Sequence, residues 1–339
     1  MKKLLAIVLA SCLALSMVAC GGAASSAPAA SASAAPAASS AAASTAEKTE
    51  AGAKVGVCIY KYDDNFMTLY REELQKYLEE KGCSVTVVDG KNDQAEQTNQ
   101  INAFIADKVD VLIVNLVQSS AAATVIDLAK TADIPVIFIN REPTKEDLAL
   151  WDKIAYVGAD ARQSGTFQGE IIAATPNKGD FNGNGTVDYV MIVGDPENVD
   201  AQYRTEFSIK ALTDAGLKVN KLFEQRGDWD QAKGQELAAT ALSQFGNDID
   251  VIFCNNDGMA LGAYQAIVSA GRTVGKDIYL VGVDALEECQ AMVKDGTMTG
   301  TVLNDHIGQS HKAADVALEA VAGKPLEKNY TVDYVKVTA

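Results

Sequence analysis

Short apolar runs alternate with amphipathic stretches along most of this chain. The run at residues 55–59 is long enough for one strand, and the polar residues Asp63, Asp64 and Asn65 follow it. Apolar residues then recur at helical spacing from Met67 to residue 78, and a glycine at residue 82 gives a stop signal. This pattern predicts a strand, a turn and a helix, which together form the first unit of an α/β fold.

The same alternation recurs in two series of similar size. Strands separated by helices of this length form βαβ units with a parallel sheet. The pattern therefore predicts an α/β fold with two doubly wound lobes, and 339 residues are enough to give each lobe its own core. The predicted strands after the first lie at residues 84–88, 110–114 and 135–139, and then at 155–158, 189–193, 219–223, 251–254, 279–283 and 299–303.

Polar residues stand at the ends of these strands, where ligands of open parallel sheets bind. A single Asp or Asn at such a place usually caps the next helix. A matching set in both lobes, with an arginine and two aromatic residues, favours a small polyhydroxylated ligand, because carboxylates accept, guanidinium donates and aromatic faces cover C–H surface. The set comprises Asp64, Asn115, Asn140, Arg141, Asp195, Asn255, Asn256, Asp257, Asp284 and Asn304, together with Phe66, Arg204 and Trp229.

The N-terminus has the features of an export signal. Residues 1–19 contain a basic start, an apolar segment and small residues before Cys20, which predicts a cleaved signal peptide. The sequence Val18-Ala19-Cys20-Gly21 resembles the bacterial lipoprotein processing box, which implies a lipid anchor on Cys20; a plain secretory peptide is the alternative. Residues 20–52 are rich in Ala, Ser and Pro and predict a tether. We expect an exported protein held at the outer face of the cell membrane, or a periplasmic one.

Composition narrows the function further. The chain has 29 basic and 45 acidic residues and a net charge of −16, which disfavours nucleic acid as a partner. No dinucleotide fingerprint or Walker loop follows a predicted strand. The cysteines beyond the signal and Cys20 are widely spaced, so we expect free thiols and no zinc site; they are Cys58, Cys83, Cys254 and Cys289.

Six ordered segments carry a resemblance to a known family. From about Lys54 to the C-terminus, the chain resembles the bacterial galactose/glucose-binding family, which belongs to the type I periplasmic binding proteins of sugar ABC transporters. The segments are Ile59-Tyr-Lys-Tyr-Asp-Asp-Asn-Phe-Met, Val114-Asn-Leu-Val, Asn140-Arg-Glu-Pro, Asn255-Asn-Asp, Gly282-Val-Asp-Ala-Leu and Gly300-Thr-Val-Leu-Asn-Asp.

The resemblance implies two lobes joined by a multi-strand hinge. We expect an N-terminal lobe of residues 53–140 plus 305–336 and a C-terminal lobe of residues 141–304 plus 337–339. The lobes would close on the sugar by hinge motion near Asn140, Asn304 and residues 335–337. The implied partners are a monosaccharide, galactose or glucose, and an ABC transporter permease, and we expect a monomer. A purely chemosensory carrier, with a chemoreceptor as its partner, is the alternative to transport.

The resemblance also implies a role for each site residue. Asp64 would bind the 4-hydroxyl, where galactose and glucose differ, and Asn115 the 6-hydroxyl. Phe66 and Trp229 would sandwich the ring. The remaining hydroxyls would be held by Asp200, Arg204, Asn256, Asp284 and Asn304, and Asn198 stands where the family has a histidine near the 6-hydroxyl.

A loop before the strand at residue 189 resembles a calcium site. Oxygen side chains occupy positions 1, 3, 5 and 9, a glycine occupies position 6, and the seventh ligand of such loops is a backbone carbonyl. In the family a distant carboxylate completes the site, and Asp250 stands at that position. We predict a structural, weakened Ca²⁺ site; a metal-free Asx-rich turn is the alternative. The predicted ligands are Asp180, Asn182, Asn184, Thr186, Asp188 and Asp250.

Two other classes of protein deserve comparison with a sugar carrier. A glycoside hydrolase needs two carboxyl groups at a defined separation, and nothing in the spacing of Asp64, Asp200 and Asp284 selects a pair. A sugar-responsive repressor shares the architecture of the core, but this chain begins with an export signal and not with a helix-turn-helix. Binding of a pentose in place of a hexose is the alternative within the same class.

Overall fold

A computed structural model describes residues 52–339. The predicted signal peptide, most of the tether and the predicted lipidation of Cys20 lie outside the described residues. Within residues 52–339, no helix is long and apolar enough to cross a membrane. The strand-and-helix alternation predicted from the apolar runs is present in both halves of this region, and the α/β class is confirmed.

The first lobe is built on a six-stranded parallel sheet. Its strands lie in the order β11-β5-β4-β3-β1-β2, which is the doubly wound arrangement with strand order reversing beside β1. The apolar runs that predicted β1, β3, β4 and β5 are almost entirely buried because helices cover both faces. The bounds are β1 Lys54–Ile59, α1 Asn65–Glu80, β2 Ser84–Asp89, α2 Gln94–Ala106, β3 Val111–Val114, α3 Ala122–Ala132, β4 Val136–Ile139, α4 Lys145–Leu148, β5 Ile154–Gly158, α10 His306–Val321 and β11 Asn329–Thr331.

The second lobe is built on a four-stranded parallel sheet in the order β7-β6-β8-β9. The antiparallel pair β10-β12 continues this sheet through bridges from Gly300 to Val281 and from Leu303 to Asp284. Helices α5 and α6 pack on one side, and α7 and α8 pack together on the other. The bounds are α5 Ala161–Ala173, β6 Val187–Val193, α6 Val199–Asp214, β7 Val219–Arg226, α7 Gln231–Phe245, β8 Val251–Cys254, α8 Asp257–Ser269, β9 Tyr279–Val281, α9 Glu287–Lys294, β10 Thr301–Leu303 and β12 Val335–Val337.

The chain passes between the two sheets three times: at residues 159–160, at 304–305 and at 332–334. The predicted lobe boundary at residue 141 is wrong, because β5 pairs with β4 in the first sheet. The strand at residues 155–158, predicted to begin the second series, therefore ends the first. The crossing after Asn304 agrees with the prediction. The third crossing precedes the predicted one, because β12 already pairs with β10.

The cysteines of the described region are buried side chains of the two cores. Cys58, Cys254 and Cys289 are free thiols. Burial raises the pKa of each of them. They therefore act as small apolar side chains and not as nucleophiles or metal ligands.

Candidate functional site

A cleft between the two lobes collects the strand-end residues. About 30 Å³ of it is open to the centres of water-sized molecules. All of the residues predicted to bind sugar line it except Asn115. The lining residues are Tyr60, Asp64, Phe66, Met67, Asn140, Arg141, Asn198, Asp200, Arg204, Trp229, Asn256, Asp284 and Asn304.

Asp64 both caps a helix and lines the cleft. Its Oδ1 accepts from the backbone N–H of Met67 at 2.8 Å, which makes it the N-cap of α1. Its Oδ2 accepts from the hydroxyl of Tyr60 at 2.6 Å. Each carboxylate oxygen has room for a second donor. Asp64 can therefore cap α1 and bind a ligand at the same time, and the cap fixes the orientation of its carboxylate.

Two amides in the second lobe combine the same roles. Asn198 is the N-cap of α6 and accepts from the N–H of Asp200 at 3.0 Å. Asn256 is the N-cap of α8 and accepts from the N–H of Met259 at 3.0 Å. Capping engages the amide oxygen of each residue. The NH₂ group of Asn198 is then the part of this side chain with donors to offer a ligand.

Arg204 and Asp200 lie one turn apart on α6 and form a buried pair, with Nη2 and Oδ2 3.7 Å apart. Helix α6 can approach α5 because residue 165 is glycine: a Cβ there would lie 2.9 Å from the Arg204 carbonyl oxygen. Arg204 also donates to the Asn255 carbonyl at 2.8 Å and to the Tyr334 hydroxyl at 3.0 Å. Burial raises the pKa of Asp200 to about 6, and Arg204 opposes that rise.

Asp284 and Asn304 meet where β9 and β10 end. The amide of Asn304 donates to Asp284 Oδ1 at 3.3 Å, and its own oxygen accepts from Gln309 at 2.6 Å. Burial raises the pKa of Asp284 well above its usual value, against the opposing effect of Arg204. Asp284 has a φ of 119°, a conformation that costs free energy for any residue but glycine and is concentrated at functional sites.

Two aromatic side chains from different lobes line the cleft, as predicted: Phe66 and Trp229. Phe66 is in the first turn of α1 and is buried. Trp229 has a φ of 65° and its ring lies over Gly194, where a Cβ would overlap the indole. The Cζ of Arg204 lies 5.6 Å from the centroid of the same ring. The glycine therefore makes the space into which the tryptophan packs.

Asn115 lies behind the cleft, unlike the other residues predicted to bind sugar. It is fully buried and does not line the cleft. Its oxygen accepts from the N–H of Tyr60 at 3.2 Å, and its NH₂ donates to the Ile139 carbonyl at 3.3 Å and to Asn140 at 3.1 Å. The predicted contact with a 6-hydroxyl stays a prediction. Asn115 ties the ends of β1, β3 and β4 together behind the cleft.

Residues beside the predicted ones complete the lining: Tyr60, Met67, Asn140 and Arg141. Asn140 and Arg141 directly follow β4, and the strand-end rule had already singled them out. Tyr60 directly follows β1 and could have been found by the same rule. Met67 carried no polar signal, because its position in the apolar pattern of α1 predicts only a core residue.

The two arginines of the cleft contain buried donors without protein partners. Within residues 52–339, Nε of Arg141 and Nε of Arg204 are buried and lack a hydrogen-bond acceptor. A buried donor without an acceptor costs about 1–3 kcal/mol, so such groups are uncommon unless a ligand or water satisfies them. The cleft thus combines acceptors on Asp64, Asp200 and Asp284 with donors that lack an acceptor.

The predicted calcium loop is closed by its own hydrogen bonds. Both oxygens of Asp180 accept from backbone N–H groups, those of Gly183 at 2.7 Å and Gly185 at 2.9 Å. Asp250 accepts from the N–H groups of Phe181 at 2.9 Å and Asp188 at 2.9 Å. These bonds hold the loop against the first residues of β6 and β8.

Amide nitrogens, and not amide oxygens, face the carboxylate of Asp188. Asn184 and Asn182 donate to it at 2.7 and 3.2 Å, and Asn220 donates at 2.6 Å. Thr186 donates its N–H to Asn184 at 2.8 Å. In the described region no group of three or more acidic, His or Cys side chains is arranged to hold a metal ion. The side chains as placed do not fit Ca²⁺, and calcium binding stays a prediction from the spacing.

Two lobes with a polar cleft at their sheet edges define the class of two-lobed solute-binding proteins. Comparison with known proteins gives the family: the model of the periplasmic binding protein domain family matches residues 55–325. The chain belongs to this family, and its members are carriers of solutes and not enzymes.

The relatives agree with the family. A D-galactose/methyl-galactoside binding periplasmic protein of Haemophilus influenzae is 38% identical over 81% of this chain and 83% of its own. A ribose import binding protein of Salmonella typhimurium is 27% identical over 82% of this chain and 88% of the length of that protein. The structure of an ABC transporter solute binding protein from Bacillus halodurans with bound myo-inositol matches with a TM-score of 0.74 and 26% identity, over 85% of this chain and 95% of its own.

Proposed function

We propose that this protein binds a monosaccharide, galactose or glucose, between its lobes and delivers it to an ABC transporter permease. The observation that carries the proposal is the composition of the cleft: three carboxylates, two arginines with buried donors and two aromatic side chains line it together. Such a set matches a sugar ring, which has hydroxyls around its edge and C–H groups on its faces. The galactose-binding relative supports the choice of hexose.

Asp64 is the proposed reader of the 4-hydroxyl. Its carboxylate is fixed by the α1 cap and by Tyr60, so it can accept from a hydroxyl in either epimeric position without moving. Asn115 or its hydrogen-bonded neighbour Asn140 would bind the 6-hydroxyl beside Arg141. Phe66 and Trp229 would cover the ring faces, and Asp200, Arg204, Asn256, Asp284 and Asn304 would hold the remaining hydroxyls.

A pentose is the second candidate. It is favoured by the ribose-binding relative and by Asn198, which stands where the resembled family has a histidine near the 6-hydroxyl. Calorimetric titration with galactose, glucose, ribose and xylose tests both candidates. Heat with a hexose supports the proposal, heat with a pentose alone changes the substrate, and no heat with any of the four contradicts it.

We also propose that the protein is exported and anchored by a lipid on Cys20. Membership of the periplasmic binding proteins supports export, and the Val18-Ala19-Cys20-Gly21 box supports the anchor. The Cys20→Ser variant tests it: wild type should partition with membranes and carry an acyl chain in mass spectra, and the variant should not. Equal partitioning without an acyl group in both would contradict the anchor.

A further inference from the structure

Arg141 is fixed in the first lobe by two contacts. Its Nη1 donates to the Val117 carbonyl at 2.5 Å, and its Cζ lies 4.1 Å from the centroid of the Tyr60 ring. The side chain is only 2% exposed. Since the segments directly after β1 and β3 supply these contacts, both come from the first lobe.

Asp195 presents a carboxylate from the second lobe to this guanidinium. Its Oδ2 lies 3.3 Å from Arg141 Nη1, and its Oδ1 lies 3.4 Å from Nη2 of Arg226, at the end of β7. Arg226 pairs in turn with Asp228, which also pairs with Lys233. The Arg141–Asp195 pair therefore joins the two lobes. The ion pairs of Arg226, Asp228 and Lys233 lie within the second lobe and fix Asp195 there.

The pair stands at the boundary between the cleft and a second cavity outside it. Tyr60, Arg141 and Trp229 line both spaces, whereas Asp195 and Arg226 line the outer one only. Asp195 is 14% exposed, so the pair is less screened by solvent and salt than a pair of surface charges. Separating the lobes must break this pair.

We propose that Asp195 is a positioning residue that holds the lobes closed over the ligand through Arg141. This inference rests on the proposed sugar-binding function. Arg141 links occupancy to closure: it lines the cleft, and its buried Nε has no acceptor among the described residues. A sugar oxygen could accept from Nε of Arg141 while Nη1 of the same guanidinium pairs with Asp195. Because the pair must break before a bound sugar can leave, it governs release more than association.

Stopped-flow measurement of galactose and ribose binding to Asp195→Asn tests the inference. We expect release to be about tenfold faster, the size of one charge-assisted hydrogen bond, with association changed less than about twofold. Asp195→Glu should recover part of the loss. The matched control is Asp214→Asn, which removes an exposed carboxylate paired with Lys210 in the same lobe and should release sugar as wild type does.

Two readouts separate the inference from a general loss of stability. Added salt should speed release from wild type and affect Asp195→Asn less. Small-angle scattering without sugar should give a larger radius of gyration for Asp195→Asn than for Asp214→Asn. Equal release rates and equal radii for these two variants would overturn the proposal. If wild type binds neither sugar, the sugar-binding function fails, and the scattering comparison alone then decides for or against the lobe contact.

Discussion

The cleft and the loop at residues 180–188 carry the same kinds of side chains and use them differently. In the cleft, each carboxylate oxygen of Asp64 accepts one hydrogen bond from the protein. Arg141 and Arg204 each have a buried Nε–H without an acceptor among the described residues. In the loop, Asp180 likewise accepts one bond at each oxygen and Asp188 accepts from three amides, but no side-chain donor of residues 180–188 is buried without a partner. Spacing of oxygen side chains therefore predicts where a polar cluster forms, but unmet hydrogen-bonding capacity indicates a place for a ligand.

The largest expected effect is that of Asp64→Ala. Loss of a fixed carboxylate should weaken galactose binding at least about 100-fold, since a charged hydrogen bond is lost and its donor is left buried. Calorimetry measures this. The control is Asp93→Ala, which removes the equivalent cap of α2 and should cost about 1 kcal/mol of stability without loss of affinity. Equal losses of affinity in both variants would show that Asp64 acts only as a cap.

Asn140→Gly and Asn115→Ala compare a residue that lines the cleft with one that lies behind it. Glycine suits the φ of 60° at residue 140, so we expect Asn140→Gly to weaken binding about tenfold with a small change in Tm. Asn115→Ala leaves the buried N–H of Tyr60 without its acceptor and should lower stability by about 1–3 kcal/mol. Thermal melts and calorimetry on both variants compare the two. A stable Asn115→Ala that fails to bind sugar would support the predicted contact of Asn115 with the sugar.

Affinity should fall as the pH falls. The pKa of Asp200 is raised to about 6 by burial, and the ionised form is the one that accepts hydroxyl hydrogens, so the Kd for galactose should rise as pH drops from 7.5 through 6 to 5. Stability of the sugar-free protein should respond in the opposite sense. A raised carboxyl pKa adds stability below its usual value of 3.8, and this stability is lost as pH rises through about 6.

Calorimetry and thermal melts across this range measure both effects. Burial also raises the pKa of Asp284. The Asp200→Asn control should therefore flatten the dependence of Kd on pH only in part. A profile with the same slope in wild type and Asp200→Asn would contradict the role of Asp200.

Calcium is expected to have the smallest effect. Binding at the 180–188 loop would require the amides of Asn182 and Asn184 to turn their oxygens inward and give up their bonds to Asp188. We expect chelation followed by added Ca²⁺ to change Tm by only about 1–3 °C. Asp250→Asn is the control that should abolish the change. An unchanged Tm would mean that the loop is a metal-free turn.

Much of the fold follows from local patterns, because buried parallel strands are continuous apolar runs. The apolar run at 155–158 nevertheless gave no sign of which sheet β5 joins, since its own residues do not show whether it pairs with β4 or with a strand of the second lobe. The cleft residues were predictable because carboxyl ends of parallel strands share an edge. Asn115 and Asn140 obey the same rule, and only the three-dimensional bonds of Asn115 to neighbouring strand ends show which one lines the cleft.

The central claim, that sugar binds in the cleft against Trp229, can be tested by fluorescence. The chain has 2 tryptophans, so Trp151→Phe leaves Trp229 as the only one. Galactose should change the emission of this variant and saturate at the Kd that calorimetry gives for wild type. The claim would be contradicted by calorimetric binding that leaves Trp229 emission unchanged while Trp229→Phe, which retains Trp151, still binds galactose with wild-type affinity.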